Sequence, residues 1–173
     1  MITGADFAHQ AETGGYLGIP YEKLDCQGFV ERVLKDCGVR KPNGTIYDWR
    51  GSNSMYRNYI DWRGSIAEAE KTFGSIPLGA LLFTVANDGG EREKGYHDNL
   101  GNAKHVGIYI GGTHGSIHST TGGVQYAKFP SKRWTHVGLL KMIDYHVQNE
   151  DNISSRDRIF SLLDEIKELI SCL

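Results

Sequence analysis

The pattern of apolar residues predicts an α+β fold, with helices first and an antiparallel sheet after them. Apolar side chains at Cys26, Phe29, Val30, Val33, Leu34 and Cys37 follow the spacing of one helix face. After Pro77 the pattern changes to short continuous or alternating apolar runs, which read as strands. The helical stretches thus come before the strands along the chain instead of being dispersed among them.

In chain order, residues 4–13 predict a short helix with Phe7, Ala8 and Ala11 on one side. Gly14 to Tyr21 breaks it. A second helix is expected over about 26–37, with Asp25 as its N-cap and Gly38 as its stop. In 39–75 the segment Pro42-Asn43-Gly44 reads as a turn, and Ser52–Ile60 and Ser65–Phe73 have helical spacing. The tetrapeptide Asp-Trp-Arg-Gly occurs at 48–51 and again at 61–64, too little to establish a repeat. Leu81–Val85 is a continuous apolar run suited to a buried strand, and 86–104 reads as a long polar loop. Strands are expected at about 105–111, 115–120, 123–129 and 136–143. Residues 1–145 therefore form one domain, followed over 146–173 by a polar linker and an amphipathic helix. That helix starts at Ser154 with a Ser154-x-x-Asp157 capping box, and it lines up Ile159, Leu162, Leu163, Ile166, Ile170 and Leu173. Its stripe either packs on the domain or serves self-association.

A chain of 173 residues with 39% apolar and 23% charged residues is long enough for one soluble domain with a real core. The formal net charge of -2 argues against nucleic acid as the main partner. No apolar run is long enough to span a membrane. Met1-Ile2-Thr3-Gly4-Ala5-Asp6 lacks the basic-then-apolar order of a secretory signal. Three cysteines without a Cys-x-x-Cys pair do not make a disulfide framework, which suggests synthesis in a reducing cytosol.

Cys26 would stand in the first turn of its helix, where the helix dipole is expected to favour thiolate over thiol. A thiolate needs a base, and His105 is the candidate. Alternation along 105–111 puts His105, Gly107 and Tyr109 on one face of a strand. A two-residue turn at Gly112-Thr113 would set Gly111 opposite His114 and Gly107 opposite His118. His118 then shares the face of His105, one diagonal away. A one-residue slip would send it to the other face, so the inferred site depends on this register. In this arrangement Cys26 is the nucleophile, His105 the general base and then acid, and His118 the group that orients His105. Backbone donors at the helix start, including the Cys26 N–H, are candidates for the oxyanion site. Gly107 is expected to let the cysteine helix approach closely.

Asp25-Cys26-Gln27-Gly28-Phe29-Val30, His105-Val106-Gly107-Ile108-Tyr109-Ile110-Gly111 and Ile117-His118-Ser119, in this order, resemble the signature blocks of the NlpC family. These are papain-like cysteine peptidases that cut the peptide part of bacterial cell walls. The resemblance spans roughly residues 14–143 and implies a papain-like fold, with the nucleophile helix packed on the sheet. It also implies that Tyr21, in Gly18-Ile19-Pro20-Tyr21, and Asp25 bind substrate. Gln27 stands where the family usually has serine, and four residues separate Tyr21 from Cys26 where the family usually has more. Both departures bear on the substrate side, so Gln27 is taken as a selectivity residue. The bond implied joins γ-D-glutamate to a diamino acid. No metal or organic cofactor is implied, and the partner is a bacterial cell-wall peptide. The segment from Asn87 to Lys104 resembles phage and prophage members, which fits a lysin, a tail-associated enzyme, or an enzyme recycling wall fragments in the cytosol.

Other readings use the same residues. An amidase or acyltransferase would use the same thiol chemistry, and a virion structural component would carry a vestigial triad. Cys26, His105 and His118 would be an unusual zinc set, since short paired ligand spacings are absent. The 86–104 loop lacks a regular calcium-loop pattern. Cys37 and Cys172 read as structural thiols, and Trp49, Tyr56, Tyr59 and Trp62 as core aromatics before sugar-stacking platforms.

Overall fold

The computed structural model describes residues 1–86 and 98–145. The expected linker and terminal helix, Cys172 and most of the 86–104 loop lie outside the described residues. Within them the fold is α+β, with four helices and a six-stranded antiparallel sheet.

The helices begin where the sequence offers caps. Helix α1 (Gly4–Thr13) opens with a capping box: the Thr3 hydroxyl accepts from the Asp6 N–H at 3.1 Å, and the Asp6 carboxylate accepts from the Thr3 N–H at 3.0 Å. Phe7, Ala8 and Ala11 form its buried side. Helix α2 (Cys26–Asp36) buries Cys26, Phe29, Val30, Val33 and Leu34. It ends at Gly38, whose φ of 75° needs a residue without a Cβ. Helix α3 (Ser52–Asn58) starts from Gly51 without a side-chain cap. Helix α4 (Ile66–Phe73) repeats the capping box with Ser65 and Glu68 and stops at Gly74 in the left-handed region.

The strands are β1 (Ile2–Thr3), β2 (Ile60–Ser65), β3 (Leu81–Ala86), β4 (Asn102–Gly111), β5 (Gly115–Thr120), β6 (Gly123–Ala127), β7 (His136–Leu140) and β8 (Ile143–Asp144). The main sheet has the order β2-β7-β3-β4-β5-β6, and β1 and β8 pair in parallel beside it. Helices α1, α2 and α3 all pack against β4. Phe83, Val106, Ile108 and Ile117 on the sheet and Phe7, Phe29 and Met55 on the helices are all fully buried. Removing such side chains from water is the main stabilising term.

The structure corrects several boundaries. The expected strand over 136–143 is two strands, divided by a turn at Lys141-Met142. Strand β4 begins at Asn102, three residues ahead of its expected start, because Ala103 pairs with Val85 and donates its N–H to Asn53 Oδ1 at 2.8 Å. Strand β2 has no counterpart in the sequence reading. It lies at the edge of the sheet on β7, with Trp62 packed against Phe73 at 4.9 Å. Trp49 and Tyr56 are buried, and Tyr56 packs edge-on against Phe83 at 4.9 Å.

The β4–β5 hairpin reaches the expected register by an unexpected turn. Three residues, Gly112 to His114, form the turn, so Gly111 pairs with Gly115 and not with His114. A bulge between Tyr109 and Gly111 then restores the register to Tyr109↔Ser116 and Ile108↔Ile117. The extra turn residue and the bulge cancel, which leaves His118 beside Gly107.

Candidate functional site

Asp25 accepts from the Gly28 N–H at 2.7 Å through its side chain and fixes the start of α2. This holds Cys26 in the first turn, 8% exposed. The chain ahead of α2 is tied down twice. Gly18 N–H donates to the Val124 carbonyl at 2.8 Å, and Val124 N–H to the Ile19 carbonyl at 3.0 Å, so this segment covers the outer edge of β6. Gly123 permits the approach: a Cβ there would lie 2.7 Å from the Ile19 carbonyl oxygen. Ser119 Oγ donates to the Leu24 carbonyl.

Strand β5 carries three of the four buried polar side chains found among the described residues: Ser116, His118 and Ser119. Each has a partner, as buried polar groups require. Ser119 holds Leu24, Ser116 Oγ donates to the Ala127 carbonyl at 2.8 Å, and His118 meets His105. His105 Nε2 and His118 Nδ1 are 2.7 Å apart, one hydrogen bond that shares one proton. His118 is 1% exposed.

Trp134, in the connection from β6 to β7, roofs this pair. Its indole stacks on His105 with ring centroids 5.7 Å apart and planes inclined by 16°. It meets His118 edge-on at 5.3 Å, and its Nε1–H donates to Ser116 Oγ at 3.1 Å. Gly107 serves this roof and not the cysteine helix, which corrects the expectation above. A Cβ on Gly107 would lie 2.8 Å from Trp134 Cη2, 2.9 Å from His118 Cβ and 3.0 Å from the Ile117 carbonyl oxygen.

The Tyr21 hydroxyl and the backbone N–H groups of Val106 and Gln27 act on the Cys26 thiol and favour its charged form. Val106 directly follows His105, so neighbouring residues in the middle of β4 act on the thiol and carry the imidazole pair. The other sequence-derived residues divide by task. Tyr21 acts on the thiol, and Asp25 is exposed and caps α2. The Gln27 amide donates to the Trp49 carbonyl, while Glu31 accepts from the Trp49 N–H at 2.5 Å. Together Gln27 and Glu31 tether the 47–50 segment to α2.

Burial sets the charge state. It pushes the Cys26 thiol up, against the lowering effect of its hydrogen-bond donors, and the Asp25 carboxylate adds to the rise. The net direction is opposite to the one expected of a helix start. Burial also lowers His105 to about 4, with Arg133 contributing. It lowers His118 to about 3, helped by the charge His105 would carry and by Arg133. These shifts all favour the uncharged forms of the thiol and of the imidazole pair. Among the described residues no group of three or more His, Cys, Asp or Glu side chains is arranged to hold a metal ion. No helix among them is long and apolar enough to cross a membrane.

Sequence reasoning missed Trp134, Ser116 and Ser119. Trp134 lies in a polar connection with no periodicity to betray its burial. The available signal was chemical: an indole that is buried needs an acceptor, and Ser116 shares a strand face with His118 two residues on. No family model and no curated protein matches this chain.

Proposed function

We propose that this chain is a papain-like cysteine peptidase of the NlpC kind. Its substrate is a bacterial cell-wall stem peptide, cut at the bond between γ-D-glutamate and a diamino acid. The observation that carries this reading is the 2.7 Å contact between His105 Nε2 and His118 Nδ1, next to Val106, whose N–H acts on the Cys26 thiol.

The chemistry follows from the proton count. If the shared proton sits on His105 Nε2 and is donated to His118 Nδ1, the lone pair on His105 Nδ1 is left free for the thiol. On attack, Cys26 Sγ forms a bond to the substrate carbonyl carbon as its proton moves to His105 Nδ1. The carbonyl oxygen becomes an oxyanion, and backbone N–H groups at the start of α2 are the donors for it. The imidazolium then gives its proton to the leaving amine and the C–N bond breaks. Water attacks the resulting thioester as His105 takes one of its protons; the C–S bond then breaks, His105 returns that proton to Cys26 Sγ, and the product leaves as a carboxylic acid that ionises in solvent. Because the resting pair is neutral, the thiol proton moves during attack and not before it.

Asp25 is exposed beside the nucleophile, so its carboxylate is available to the free ammonium group of a stem peptide that has lost its sugar. Gln27 and its tethered 47–50 segment would shape the adjoining wall. Such an enzyme would act on the wall after lysis or delivery by a phage particle, or on recycled fragments. Digestion of purified peptidoglycan, read by mass spectrometry of the released peptides, tests the proposal. New amino termini on the diamino acid are expected with the wild type and not with Cys26→Ala. Release of the stem peptide from sugar would point to an amidase, and an unchanged wall to a structural component.

A further inference from the structure

We propose that Trp134 is a positioning residue for the imidazole pair: its indole locks the rotation of His105 and keeps water from the His105–His118 hydrogen bond. The inference rests on the hydrolytic reading above for its purpose, and on ring geometry for its substance. A stacked roof at 16° fixes the plane of the His105 ring, and a T-shaped contact at 5.3 Å fixes that of His118. The roof is itself held, because Trp134 Nε1–H donates to Ser116 Oγ and Ser116 Oγ donates to the Ala127 carbonyl. Trp134 and Ser116 thus tie the β6–β7 connection to the hairpin that carries both histidines. The absence of a side chain at Gly107 is what lets the indole descend this far.

The lock has a defined consequence. An imidazole free to turn about its χ2 would present either ring nitrogen, whereas the clamped ring keeps Nε2 on His118 and leaves Nδ1 for a proton from Cys26. A dry hydrogen bond also resists charging, in keeping with the low titration of His105. The charged group that acts on both rings is Arg133, next to Trp134, and Lys104 precedes His105 on β4. Arg133 disfavours imidazolium and remains in place when Trp134 is changed, so a shift on changing Trp134 reports loss of the roof.

The test is an NMR titration of the histidine imidazoles in the full chain, compared between wild type, Trp134→Leu and Trp134→Phe. In Trp134→Leu the His105 titration should rise by about one unit or more as water reaches the ring. Trp134→Phe, which restores a stacked ring, should recover most of the difference. With a stem-peptide substrate, Trp134→Leu should lose about ten- to a hundredfold in kcat with KM little changed, since orientation and not binding is lost. If Trp134→Leu does not fold, Ser116→Ala, which keeps the indole but removes its tether along with the hydroxyl's bond to the Ala127 carbonyl, is titrated instead, and a raised His105 value is again expected. An unchanged His105 titration in a folded variant overturns the proposal. A wild-type protein that leaves wall peptides intact overturns the hydrolytic reading instead, and the titration still decides whether Trp134 clamps the pair.

Discussion

Acidification should unfold this protein through its imidazole pair before its carboxylates contribute. An unfolded chain takes up a proton on a histidine near the ordinary value of 6.5, but folded His105 holds out to about 4. Between these values the unfolded state binds more protons, so stability is complete above about 6.5 and falls as pH drops toward about 4, where the loss levels off. A difference of roughly 2.5 units, at about 1.36 kcal/mol each, amounts to about 3 kcal/mol for His105 alone. His118, lowered further to about 3, acts in the same direction. Against a typical domain stability of roughly 5–15 kcal/mol this is a large share. Urea unfolding followed by circular dichroism at several values between about pH 7 and 4 measures it. The control is His105→Asn with His118→Asn, which keeps every carboxylate and removes the titrating pair. The wild type should lose about 3 kcal/mol or more relative to the control by about pH 4. Parallel stability curves would show that the pair is not buried as described.

Gly107→Ala should destabilise the fold by about 1–3 kcal/mol and reduce turnover, since the new methyl meets the Trp134 indole at 2.8 Å and the His118 Cβ at 2.9 Å. Trp134→Phe, which removes the indole edge, should relieve part of that cost in the double variant, and additive losses by urea unfolding would contradict the contact. Iodoacetamide should label Cys26 ahead of Cys37, whose thiol is pushed up to about 11 by burial and the nearby Asp36 and Asp6. The Cys26 rate should climb steadily with pH above neutrality; a flat rate from acidic to neutral pH would mean a preformed thiolate. Asp25→Ala should cost about 1 kcal/mol through the lost cap, whereas Asp25→Asn keeps the cap and removes the charge. If turnover of free-amine and acetylated stem peptides is equally unaffected by Asp25→Asn, the carboxylate is only a cap.

The sequence by itself determined the local parts of the site. Asp25 before an apolar stripe marks a capped helix start because a cap and a buried face are both short-range requirements. The strand period placed His105 and Gly107 together, and the glycine-rich turn set His118 opposite to within one residue. Had the bulge at Ile110 not offset the longer turn, the same pattern would have sent His118 to the other face. That cancellation was decided by pairing and not by the turn sequence. Strand β7 inserts between β2 and β3, so β2 exists only because a partner from the far end of the chain lies beside it. Its residues alternate apolar and polar only from Ile60 to Arg63, too short a run to stand out between the two stretches of helical spacing that flank it. The Trp134 roof is likewise a meeting of segments distant in sequence. The charge state of the thiol also belongs to the tertiary structure. A helix start favours thiolate wherever it lies, but the helices and sheet that close around Cys26 remove water from it, and that desolvation acts in the opposite direction.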